Sequence, residues 1–256
     1  MDLAQTLSGF AVGAIVGLTG VGGGSLMTPL LVLLFGIHPA TAVGTDLLYA
    51  AITKSGGTWV HASKGTVDWS IVKLLASGSM PAAALTLLAV HQFAPGGLGS
   101  ASRAITFSLG IALLLTSGAL LFRQRLLAWA RSRNPDTEHH PWKTVAMGAT
   151  LGVLVSISSV GAGALGVTAL FFLYPKLGAH RIVGSDLAHA VPLTLVAGLG
   201  HWWLGSVNWS LLGSLLVGSL PGIYIGSHLS TRVPERILRP TLAGMLVLVG
   251  SKLIAF

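Results

Sequence analysis

Gly17-Leu-Thr-Gly-Val-Gly-Gly-Gly-Ser25 and Ser158-Ser-Val-Gly-Ala-Gly-Ala-Leu165 decide how this chain folds. Each breaks an apolar run, with residues 10–18 and 26–35 around the first and 147–155 and 165–174 around the second. A helical crossing of a bilayer takes about 20 apolar residues, and each flanking piece is about half that. Glycine at this density weakens a helix and lets the backbone bend or approach a ligand. Interrupted backbone at membrane depth persists only where protein or a water-filled cavity satisfies its polar groups. Both stretches therefore read as re-entrant helical hairpins whose tips meet inside a membrane.

Composition sets the same frame. Of 256 residues, 52% are hydrophobic and 9% charged, with a mean hydropathy of +0.79. Soluble domains carry about 25% charged residues, so the chain is a helical integral membrane protein with the lipid bilayer as its first partner. The continuous apolar runs exclude a β-barrel, which needs short alternating strands. The net charge of +8 lies between the apolar segments, which is the positive-inside pattern rather than a nucleic-acid surface. With no cysteine, disulfides, thiolate metal sites and thiol catalysis are excluded. The N-terminus, Met1-Asp-Leu-Ala-Gln5, lacks the basic start of a cleaved signal peptide.

Further spans are predicted at 39–60, 69–91, 104–122, 182–200, 209–229 and 238–256, with a basic, interfacial linker near 123–141. The two halves repeat each other at a constant offset of 140 residues. Gly44-Thr-Asp-Leu answers Gly184-Ser-Asp-Leu; His61, Gly65, Val67, Trp69 and Ser70 answer His201, Gly205, Val207, Trp209 and Ser210. Gly78-Ser-Met-Pro81 answers Gly218-Ser-Leu-Pro221. Such duplication is the usual build of a transporter. The expected organisation is a first transmembrane repeat at 1–122, a cytoplasmic basic linker at 123–143 and a second repeat at 144–256.

Charge orients the halves. With Arg123, Arg125, Arg131, Arg133 and Lys143 cytoplasmic, Lys176, Arg181, Arg232, Arg236 and Arg239 fall on the same side when each hairpin returns to its own face. An odd number of crossings then separates the halves, so they are inverted. The expected fold is an all-α polytopic membrane protein of two inverted-topology repeats, each a re-entrant hairpin plus three transmembrane helices. Two full spans per hairpin would keep the same parity; length favours re-entrance. Trp59, Trp69, Trp142, Trp202, Trp203 and Trp209 stand at predicted span ends, as an aromatic belt does.

A half-helix starting at mid-membrane presents unpaired N–H groups and its positive dipole end, which together bind anions without a buried cation. Candidate substrate contacts are Thr19, Gly22, Gly23, Gly24 and Ser25 at the first tip, and Ser158, Ser159, Gly161 and Gly163 at the second. Thr45 and Ser185, beside the paired carboxylates, join them. The competing reading is that these glycines only allow close helix packing. Asp46 and Asp186 are repeat mates inside spans, where an ionisable group invites a functional reading. They are candidates for coupling or gating, or structural caps. Lys54 and His189 have Thr194 and Tyr49 as mates, so the repeat does not dictate them; this asymmetry suits a substrate-specific role, although Lys54 could also snorkel. His61 and His201 read as helix-end caps.

Thr19-Gly-Val-Gly-Gly-Gly-Ser25, the Gly44-Thr-Asp46 repeat and the two-half layout resemble the TauE/SafE sulfite-exporter family, over about residues 9–229. The resemblance implies a transporter of small sulfur-containing anions, such as sulfite, thiosulfate, sulfoacetate or other organosulfonates, in a bacterial inner membrane, with export as its direction. The second hairpin carries fewer glycines than the first, so the two tips need not contribute equally. A passive anion channel and an organic-acid permease remain the rivals. An intramembrane enzyme has less support, since the rhomboid, aspartyl-protease, zinc-protease and P-loop signatures are all missing. No cofactor or metal is expected; the substrate is a small anion, and a homodimer stays open.

Overall fold

The computed structural model describes residues 3–19, 24–93, 102–122, 124–126, 128, 141–229 and 235–255. Ten long helices account for nearly all of them: α1 Leu3–Thr19, α2 Gly24–Leu33, α3 Pro39–Ser63, α4 Trp69–Phe93 and α5 Ser102–Leu121, then α6 Pro141–Ser158, α7 Ala164–Leu173, α8 Ala179–Trp203, α9 Trp209–Leu229 and α10 Glu235–Ala255. Four are long and apolar enough to cross a membrane: α4, α5, α8 and, through Gly226, α9. The architecture is that of a polytopic, all-helical membrane protein.

The hairpins correct one expectation. Their first arms, α1 and α6, run 17 and 18 residues, while their second arms, α2 and α7, run 10 each. At 1.5 Å per residue, the first arms are about 25 Å long and the second about 15 Å. The first arms outrun their strictly apolar stretches because Leu3–Gly9 and Pro141–Ala146 also take up helix. Only the second arms are half-length.

Packing crosses the chain's midpoint. The long arm α1 lies along α9, and α6 lies along α4. α3 packs on α8, and α5 on α10. Backbone meets backbone at glycines in the first two pairs. A Cβ at Gly13 would stand 2.7 Å from Ser219 Cα, and one at Gly152 2.9 Å from Ser79 Cα. In lipid no hydrophobic force drives helices together, so this close van der Waals fit carries the association. α3 and α8 sit at the centre. Asp46, Leu47 and Tyr49 of one and Asp186, His189, Ala190 and Leu193 of the other are shut from the surface. Trp59, Trp69, Trp142, Trp202, Trp203 and Trp209 are all more than half exposed, at helix ends.

The helix joints are built alike in both halves. Gly65 and Gly205 adopt φ of +64° and +72° to turn the chain after α3 and α8. His61 Nδ1 meets Thr66 Oγ1 at 2.8 Å, and His201 Nδ1 meets Ser206 Oγ at 3.0 Å. Asp68 and Asn208 then cap α4 and α9 by accepting from Ile71 N and Leu211 N.

Candidate functional site

The second hairpin bends at Ser158–Gly163. Gly161 and Gly163 take φ of +125° and +139°, a region closed to side-chain-bearing residues. Ser159, at +57°, is the positive-φ residue other than glycine among those described. This strained turn aims its hydroxyl at α3, where Ser159 Oγ donates to Asp46 Oδ2 at 2.9 Å. Thr28 Oγ1 of α2 donates to the same oxygen at 2.5 Å. One buried carboxylate thus receives a hydroxyl from each hairpin. Ser158 is spent locally: its Oγ donates to Leu154 O and accepts from Val160 N.

Lys54, two turns beyond Asp46 on α3, is 7% exposed. It does not snorkel; its Nζ donates to Ala162 O at the second tip, at 2.9 Å. It stands close enough to act through space on Asp186 and Asp46, and pairs with neither within ion-pair distance. Asp186 of α8 sets Oδ1 over Gly166, in the first turn of α7, where a Cβ would collide with it. His189, fully buried, meets Ser79 Oγ through Nε2 at 2.8 Å.

Sequence-read candidates therefore separate. Asp46, Ser159, Lys54, Asp186 and His189 gather around the second tip, with Gly161 and Gly163 shaping it. Thr45 and Ser185 sit elsewhere, fully buried: Thr45 Oγ1 accepts from Asn208 N at 3.1 Å and Ser185 Oγ from Asp68 N at 2.8 Å, at the helix joints. Gly22 and Gly23 lie outside the described residues. Of Thr19, Gly24 and Ser25 only the backbone is described, and most of the 123–143 linker is likewise outside. Sequence reading missed Thr28, which carries no motif, and Ser79, which the duplicated Gly-Ser-x-Pro motif already marked. His201 caps, as expected, and also ties α8 to the second hairpin through Nε2 and Ser156 O, 2.8 Å apart.

Chemically, the tip offers the N-terminus of a half-length helix, a buried ammonium, an imidazole and two carboxylates in a desolvated place. Such a set can hold an anion and exchange hydrogen bonds with it. Among the described residues no group of three or more metal-ligating side chains occurs.

A family model described as "Sulfite exporter TauE/SafE" matches residues 6–253. The chain is 40% identical over 257 residues to "Probable membrane transporter protein YjnA" of Bacillus subtilis (strain 168), covering 99% of this chain and 100% of that protein. It is 28% identical over 249 residues to "Probable membrane transporter protein YdhB" of the same organism, covering 93% and 97%. A "Probable membrane transporter protein" of Xylella fastidiosa (strain Temecula1 / ATCC 700964) is 30% identical over 234 residues, covering 88% and 84%. No solved structure matches the chain.

Proposed function

This chain belongs to the sulfite exporter TauE/SafE family, as a membrane transporter and not an enzyme, and from that premise we propose that it carries small sulfur-containing anions across a bacterial inner membrane. Sulfite, thiosulfate and small organosulfonates are the substrate class. The carrying observation is Lys54, a buried ammonium held on the Ala162 carbonyl just before α7 begins. A cation and a helix N-terminus at one buried point attract a small oxyanion with few competitors.

The same reading makes the halves inverted repeats that rock against each other, giving alternating access around the tips, with the basic linker cytoplasmic. The packing pairs support it. Exchanging each helix with the one five places on turns α1–α9 into α6–α4 and α4–α8 into α9–α3, and leaves α3–α8 and α5–α10 in place. Asp68 and Arg181, joined at 2.9 Å, sit on one side under this topology. His201 and Ser206 sit on the other.

Counterflow in proteoliposomes tests the function. Vesicles preloaded with sulfite should take up labelled sulfite with a transient overshoot that saturates, and Ser159→Ala or Lys54→Gln should reduce it at least tenfold. Uptake without overshoot would identify a channel. Overshoot with carboxylates but no sulfur oxyanion would identify an organic-acid permease.

A further inference from the structure

Four buried side-chain atoms have no hydrogen-bond partner among the described residues: Asp46 Oδ1, Tyr49 Oη, Asp186 Oδ1 and His189 Nδ1. Buried polar groups are nearly always paired, so each exception calls for a reason. These four are not scattered. Tyr49 follows Asp46 by three residues on α3, and His189 follows Asp186 by three on α8, so each pair shares a helix face. The pairs also correspond at the offset of 140, as do their serine neighbours. Ser79 holds His189; Ser219 stands beside Tyr49 outside hydrogen-bond geometry, its hydroxyl turned to Leu216 O. The molecule holds two buried polar clusters built on one plan.

They differ where the sequence differs. His189 replaces Tyr49, and Lys54 replaces Thr194. Both changes put nitrogen beside Asp186, with Lys54 also acting through space on Asp46. There, Asp186 Oδ1 and Lys54 Nζ both rest on the second hairpin, at Gly166 and Ala162, on either side of the start of α7. The cluster thus presents three functions: a carboxyl oxygen that only accepts while it is ionised, an ammonium with donors beyond the one given to Ala162, and an imidazole nitrogen that takes either role. A fully deprotonated sulfonate offers only acceptors and would set lone pairs against Asp186 Oδ1. An oxyanion that keeps one proton can accept from Lys54 and donate to Asp186.

We propose that Asp186, His189 and Lys54 form a half-site that recognises a small oxyanion in its monoprotonated form, of the hydrogen sulfite kind. This rests on the anion-transport reading above and narrows its substrate class. The anion accepts from a Lys54 donor that Ala162 O does not use. The titratable groups facing this cluster are Lys54 and Asp46 of α3. α7 contains none, and α6 has only Lys143, at its start. Those of α4, Lys73 and His91, are exposed, and those of α8 besides the pair, His180, Arg181 and His201, lie at its ends.

Calorimetric titration of the purified full chain in lipid nanodiscs tests this, with sodium sulfite and sodium methanesulfonate across a pH series. Methanesulfonate keeps no proton, so its pH trend reports the protein's own groups. The expected result is a sulfite Kd that weakens about tenfold per pH unit once hydrogen sulfite is the minor form. Methanesulfonate should bind about tenfold or more weaker at any pH where Asp186 is ionised, without that slope. Asp186→Asn, which puts a donor where the lone acceptor stands, should bring methanesulfonate level with sulfite and flatten the slope. Its melting curve confirms that the variant is folded, and Asp186→Glu should restore the preference in part. Equal affinity of the wild type for both anions, or a preference untouched in folded Asp186→Asn, would overturn the proposal while leaving anion transport standing. Failure of the folded wild type to bind either anion would remove the anion-transport reading itself.

Discussion

Replacing Gly152 by alanine tests whether backbone contact between α4 and α6 holds both the fold and His189. The added Cβ would stand 2.9 Å from Ser79 Cα and 3.0 Å from Ser79 C, and closer still to its carbonyl oxygen, where ordinary contact begins at 3.4 Å. Backbone cannot swing aside as a side-chain tip does, so the helices must part by about half an ångström or more. Overpacking of this kind costs about 1–3 kcal/mol, which for a chain of this size lowers Tm by roughly 2–12 °C. The same shift moves Ser79, whose hydroxyl is 2.8 Å from His189 Nε2, so anion affinity should fall along with stability. Gly244→Ala is the control: nothing lies within 4 Å of its Cβ position, and alanine there should leave Tm level or raise it, by up to about 1 kcal/mol of helix preference. Thermal unfolding in one detergent reads both variants, and calorimetry with sulfite reads the site. The reasoning fails if Gly152→Ala melts with the wild type, or if Gly244→Ala loses as much.

Three further outcomes follow from the helix joints and the topology. His201→Ala removes the contacts to Ser206 Oγ and Ser156 O and should cost about 2–3 kcal/mol by the same melting assay; a loss under 1 kcal/mol would deny the histidine its tying role. Asp68→Ala should cost about 1 kcal/mol through the α4 cap, whereas Arg181→Ala, at the exposed end of the ion pair, should stay within about 0.5 kcal/mol; equal losses would place the energy in the ion pair instead. Because the chain has no cysteine, Ser63→Cys and Ser210→Cys, both at exposed serines, give clean single-site labels. A membrane-impermeant maleimide should reach them from opposite faces, and labelling of both from one face would refute the topology.

Much of this fold is written in the sequence, because lipid allows few solutions. Helices α3, α4, α5, α8, α9 and α10 fall within a few residues of the apolar runs, whose ends Trp, Pro and Gly mark. The hairpin arms were less legible. Hydropathy stops at the first polar residue, while Leu3–Gly9 and Pro141–Ala146 extend the helices through Thr, Gln, Lys and Ser that a packed neighbour tolerates. At the site, the repeat exposed Asp46 with Asp186, and its violations exposed Lys54 and His189. It could not separate Thr45 from Ser159. Both are small hydroxyls within two residues of a glycine, and only the third dimension shows one accepting from a helix cap and the other donating to a carboxylate. Thr28 was invisible because a threonine on an apolar helix looks the same whether it bonds its own turn or a carboxylate from the next helix.

The pairing of α1 with α9 also bears on how the molecule is made. Residues 3–19 leave the ribosome some 190 residues ahead of Trp209, where the helix that their glycine-lined face fits begins. At synthesis rates of about 5–20 residues per second, that face waits on the order of ten seconds or longer for its partner. α4 has a shorter wait for α6. The nascent first half therefore has no finished structure of its own, and its glycine-lined face must be sheltered by the insertion machinery until the last third of the chain arrives. Truncation after α5 should yield a substrate for membrane proteolysis instead of a half-transporter.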